Sequence, residues 1–103
     1  MSDKHPLYHY MVEYKIPVPF PSELYHKIPD QQEMVQKLFT EGKLVSYTLA
    51  ADLSKLWAVF MSSSESELLN YIDKLPLSEY MEFDYSELRF HQSLKLLPSM
   101  SMN

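Results

Sequence analysis

Between Leu7 and Ile16 the side chains alternate. Tyr8, Tyr10, Val12, Tyr14 and Ile16 fall on one side and Leu7, His9, Met11, Glu13 and Lys15 on the other, the period of two that a β-strand imposes. Pro17, Pro19 and Pro21 follow. None can donate a ladder hydrogen bond, so the strand ends and an extended connector leads onward. From Ser22 to Glu41 the apolar residues Leu24, Tyr25, Ile28, Met34, Val35, Leu38 and Phe39 recur at helical spacing. Pro29 interrupts them, and Asp30 with Glu33 reads as a capping-box variant. The pattern therefore predicts a short turn over 22–28 and a main helix over about 30–41. Gly42 stands where a helix end calls for a left-handed residue, so Gly42→Val should cost stability more than function.

Two β-rich runs come next, 43–50 (KLVSYTLA) and 56–62 (LWAVFMS), separated by a segment of hairpin-loop length. Ser64 and Glu67 form a second capping box, opening a helix whose stripe is Leu68, Leu69, Ile72 and Leu75 and which Pro76 stops. A last strand over 81–90 alternates Met81, Phe83 and Tyr85 against Glu82, Asp84 and Ser86. The order βαββαβ, closed by two right-handed crossovers, is that of the ferredoxin-like fold, a four-stranded antiparallel sheet with both helices on one face. The chain reads as one α+β domain over 1–103, with a core at about 7–91 and flexible or docking tails at 1–6 and 92–103. Pairing Met11 with His9, Tyr47 with Val45, Trp57 with Val59 and Phe83 with Tyr85 on the uncovered face predicts an apolar sheet surface and hence a homodimer.

Composition narrows the chemistry. With one glycine the chain has no glycine-rich phosphate loop, and with no cysteine it has no disulfide, thiolate metal site or cysteine nucleophile. The formal net charge of −5 disfavours nucleic acid and anionic membranes as partners. Absent any apolar run near membrane-spanning length or a secretory leader, a cytoplasmic setting is expected. Eight tyrosines, five phenylalanines and one tryptophan are a heavy aromatic load for 103 residues.

The segment LPLSEYMEFDYSELRFH, from Leu75 to His91, resembles the end of the muconolactone Δ-isomerase family, which has a Leu-Pro-Leu-x-x-Tyr-Met-acidic stretch and a last strand ending near a His. Leu7-Tyr8-His9, Lys15-Ile16-Pro17 and Glu41-Gly42-Lys43 agree with its Leu-Phe-His, Lys-Leu-Pro and helix-ending Glu-Gly, so the likeness covers about residues 7–94. The resemblance implies a dimeric α+β barrel, assembled further into a decamer in family members. It also implies a cofactor-free, metal-free proton shift on a small unsaturated lactone or related enolisable acid, in the setting of aromatic-compound catabolism. One base removes the proton and returns it nearby, while donors hold the enolate.

The family's base is a Glu eleven residues before that glycine, and here the position holds Gln31. An amide does not accept the proton, and Asp30 and Glu33 point away from Gln31 around the helix. Val45 and Leu49 stand where the family has basic residues, and Pro29 breaks a helix that is continuous there. These departures leave two readings: a lactone isomerase, or a catalytically inactive or differently specialised barrel that binds a small apolar ligand. A partner-binding module acting through the 92–103 tail is a third. The candidate catalytic residues are His9, Gln31 and Tyr47, and the candidate ligand-binding residues are Glu13, Glu33, Trp57 and His91. His9 and Glu13 share one strand face, Gln31 could bind a carbonyl through its amide, and Tyr47 could donate a phenolic proton to an enolate. Each also has a plain structural role open to it, as a strand histidine, a first-turn helix residue or a core tyrosine.

Overall fold

The structure is a computed structural model and describes residues 6–89. Strand β1 (Tyr8–Lys15) is followed by a 3₁₀ turn at Ser22–Lys27, helix α1 (Ile28–Thr40), strands β2 (Leu44–Leu49) and β3 (Lys55–Ser62), helix α2 (Glu65–Lys74), a short 3₁₀ turn at Ser78–Tyr80 and strand β4 (Glu82–Leu88). The strands form one antiparallel sheet in the order β2-β3-β1-β4. That is the split arrangement expected from βαββαβ, an α+β ferredoxin-like fold.

The alternation of β1 sorts its residues as expected. Tyr10, Val12 and Tyr14 are buried and join Leu56, Ala58 and Phe60 of β3 in a core completed by Val35 and Leu38 of α1 and Leu68 and Ile72 of α2. Opposed residues of paired strands share a face. Tyr14 lies opposite Phe83, Val12 opposite Tyr85 and Ala58 opposite Tyr47, so these three aromatics face the helix layer and not the uncovered face assigned to them from the sequence. The relative phase of the strands, which a hydrophobic pattern within each strand does not reveal, decides this. The face that no described helix covers carries Met11, Trp57 and Met61, all half-buried, beside the polar Glu13, Asp84 and Ser86.

Helix ends bear out one capping box and correct the other. Ser64 caps α2, its Oγ accepting the Glu67 N–H at 3.1 Å. The Glu67 carboxylate reaches back to the Ser63 N–H at 2.6 Å and to the Ser63 hydroxyl at 2.9 Å. These donors hold the Glu67 carboxyl below the ordinary carboxylate range, first through the Ser63 backbone N–H and then through its hydroxyl. A depressed folded-state pKa contributes stability above the unfolded value and loses it as pH falls through the folded one. Acid unfolding of Glu67→Gln should therefore lack this component, so that the gap in stability between the two proteins closes as pH drops below the usual carboxylate range. A gap that stays constant with pH in denaturant titrations would contradict this.

At α1 no side chain caps the helix; it starts at Ile28 with Pro29 in its first turn, and Asp30 is inside the helix. Proline needs no hydrogen-bond partner in the first turn, and the helix begins beside Pro29 after a separate turn, close to the boundary expected from the sequence. The C-terminus is as expected. Gly42 has φ +73°, with its N–H on the Phe39 carbonyl at 3.0 Å and the Lys43 N–H on the Leu38 carbonyl at 2.9 Å, a Schellman closure. A Cβ at Gly42 would meet no neighbour within 4 Å, so the cost of Gly42→Val is mainly backbone strain, about 1–2 kcal/mol. A thermal melt should register it, and an unchanged melting temperature would contradict it.

Candidate functional site

The functional site begins with a buried amide. Gln31 lies one turn before Val35 and two before Leu38, on the stripe of α1 that faces the sheet, and only 5% of it is exposed. Buried amides need partners, and Gln31 has two. Its Oε1 accepts the Leu77 backbone N–H at 3.0 Å, and its Nε2 donates to the Tyr47 hydroxyl oxygen at 2.9 Å. The first bond fixes the second, because a backbone N–H only donates and so holds the amide oxygen on its own side. Burial pushes the Tyr47 hydroxyl above the ordinary tyrosine range, an effect the Gln31 hydrogen bond partly offsets. Tyr47 is therefore protonated at neutral pH. Its oxygen is already an acceptor, its own proton is left to donate, and no described residue takes that proton.

Gln31 and Tyr47 line a cavity of about 340 Å³ between α1 and the sheet. Ile16, Leu56, Leu77 and Met81 supply its apolar walls. The connector after β1 and the 3₁₀ turn bring in Phe20 and Tyr25, whose rings are 5.4 Å apart. Leu49 and Leu53 stand at its open side and are themselves exposed. Leu53 takes φ +67°, a conformation unusual for a branched side chain. The hairpin holds it there through the Leu53 N–H on the Ala50 carbonyl at 2.9 Å and through Asp52, whose Oδ1 accepts both the N–H and the hydroxyl of Ser54. None of the lining side chains carries a carboxylate, an imidazole, an ammonium or a guanidinium.

Of the residues singled out from the sequence, the structure brings together Gln31 and Tyr47. His9, Glu13 and Trp57 lie on the opposite, uncovered face of the sheet, because their positions on β1 and β3 alternate with the buried ones. There the Trp57 indole N–H donates to Glu13 Oε1 at 3.3 Å, and Lys55 Nζ is 3.5 Å from Glu13 Oε2. His9 lines a separate concavity with Tyr8, Glu87 and Arg89. Glu33 is exposed on the outer side of α1. His91 and the 92–103 tail lie outside the described residues. Among the described residues no group of three or more His, Cys, Asp or Glu is placed to hold a metal, and no helix is long and apolar enough to cross a membrane. Sequence reasoning missed the Leu77 N–H, Phe20 and Tyr25 as parts of the site. Gln31's own burial had a signal, since it continues the Ile28, Val35, Leu38 spacing.

A split antiparallel sheet with a mostly apolar pocket under its first helix, and a Gln31–Tyr47 hydrogen-bonded pair in its lining, defines a small α+β pocket protein. The family model of muconolactone delta-isomerase matches residues 7–100, and the chain belongs to that family. A search of curated proteins finds no match.

Proposed function

We propose that the pocket between α1 and the sheet binds a small, largely apolar ring compound, and that the proton shift associated with the family is curtailed in this chain. One observation carries the reading: at the position where the resemblance places the base, Gln31 is a neutral amide with both ends engaged, and no other lining side chain replaces it as a base. A proton shift needs a group that accepts a carbon-bound proton, and a missing general base typically forfeits about 10²–10⁴ in rate. The same proposal has two copies of the chain meeting through the uncovered face, where Met11, Trp57 and Met61 are half-buried, in a cytoplasmic setting that suits a chain without cysteine.

Isomerisation by the unaltered chain is the second reading, favoured by family membership and by a Tyr47 proton able to meet a developing enolate oxygen. Muconolactone incubated with the purified protein separates the two. Proton NMR should show it unchanged beyond the buffer rate, while neutral ring compounds raise the melting temperature by binding the folded state. Rapid conversion by the unaltered protein would refute the proposal.

A further inference from the structure

Building on the reading of this cavity as a small-molecule site, we infer that it selects uncharged ring compounds bearing one hydrogen-bond acceptor, a ketone or lactone carbonyl, and that Gln31 is the positioning residue that sets this preference. The chain of donors has a forced direction. Leu77 N–H donates to Gln31 Oε1, Gln31 Nε2 donates to the Tyr47 oxygen, and the next donor in line is the Tyr47 O–H. A ligand reaching this end of the pocket therefore meets a proton and must bring a lone pair. An ammonium or amide N–H would meet another donor, with the accepting side of Tyr47 already filled by Gln31.

Charge is excluded by the walls. A carboxylate would leave water for a lining without a cation, where the neutral Tyr47 and Tyr25 hydroxyls and the Gln32 amide are poor compensation for the lost hydration. A volume of about 340 Å³ sits at the small end of ligand pockets, which fits a single ring. Gln31 lines the cavity, but its part in this preference runs through Tyr47. It acts by holding the Tyr47 proton outward, and a carboxylate in its place would reverse the last bond by drawing the Tyr47 proton to itself.

Ligand-observed NMR titrations of the full chain test this with cyclohexanone, its acceptor-free isostere methylenecyclohexane, and cyclohexanecarboxylate. In the unaltered protein cyclohexanone should bind and cyclohexanecarboxylate should bind more weakly. Tyr47→Phe and Gln31→Glu should each weaken cyclohexanone roughly three- to tenfold, the worth of one hydrogen bond, and leave methylenecyclohexane within twofold. The retained hydrocarbon affinity shows that the pocket is still folded, a result that a merely structural role for Gln31 would not give. The inference is overturned if both neutral compounds lose affinity equally in both variants, if neither loses any, or if the carboxylate binds tighter than the ketone. Should neither neutral compound bind the unaltered protein, the pocket reading falls together with the inference; if both bind but respond alike to the substitutions, only the inference falls.

Discussion

The neutral β,γ-unsaturated lactone 5-methyl-2(3H)-furanone is expected to isomerise about 10²–10⁴-fold faster with the Gln31→Glu variant than with the unaltered protein, the usual worth of a positioned general base. The change is nearly isosteric and keeps both partners of the amide within reach. The Leu77 N–H, now 3.0 Å from Gln31 Oε1, would go on donating to it. Tyr47, whose oxygen now accepts from Nε2 at 2.9 Å, would turn its own proton toward the new oxygen. Two oxygens offer about four lone-pair sites, so after these two bonds the carboxylate keeps capacity to take the proton from C3 of the lactone and return it at C5. No second base or metal is needed for that exchange. The neutral lactone is the better probe because the pocket holds no cation to receive the carboxylate of muconolactone.

Phe60→Ala should cost the fold about 3–5 kcal/mol, the range for removing a buried phenylalanine and leaving a cavity. Phe60 is fully buried at the middle of the sheet, opposite Tyr10 on β1 and Leu44 on β2, so it lies between the two strands that flank α1 in the chain. Neither neighbour is free to collapse into the space, since both are fixed by their own ladders. Against a domain stability of about 5–15 kcal/mol the loss is a large share. It should appear as a lowered denaturant midpoint with an unchanged slope. A loss below about 1 kcal/mol would mean that this core repacks freely.

The strands and helices were legible because each carries its own period. The alternation around Val12, the stripe around Leu38 and the stop at Gly42 are local facts, and the structure places each as expected. Two things were not local. Whether Tyr47, Phe83 and Tyr85 faced the helices depended on how β2 and β4 register against β3 and β1, which no single strand encodes. The other was the capping of α1: Asp30 and Glu33 have the spacing of a capping box, but the helix begins before them, at Ile28, with no side-chain cap.

The site divides in the same way. Gln31 was visible as a departure from the family's base, and its burial could have been read from its spacing to Val35 and Leu38. Its bond to Leu77, 46 residues away, could not. Nor could the pocket's lack of charge, which comes from the meeting of the connector after β1, the Leu53 hairpin and the turn after α2. His9 and Glu13 looked like site residues because they share a strand face, and they do share one. That face turns away from the cavity, since the helices cover the other.

One measurement tests the central claim most directly: the rate of conversion of 5-methyl-2(3H)-furanone, followed by proton NMR at one pH, for the unaltered protein and for Gln31→Glu side by side. A site that binds but lacks its base predicts an unaltered protein near the buffer rate and a variant at least about 10²-fold above it. An unaltered protein that matches or exceeds the variant would contradict the claim.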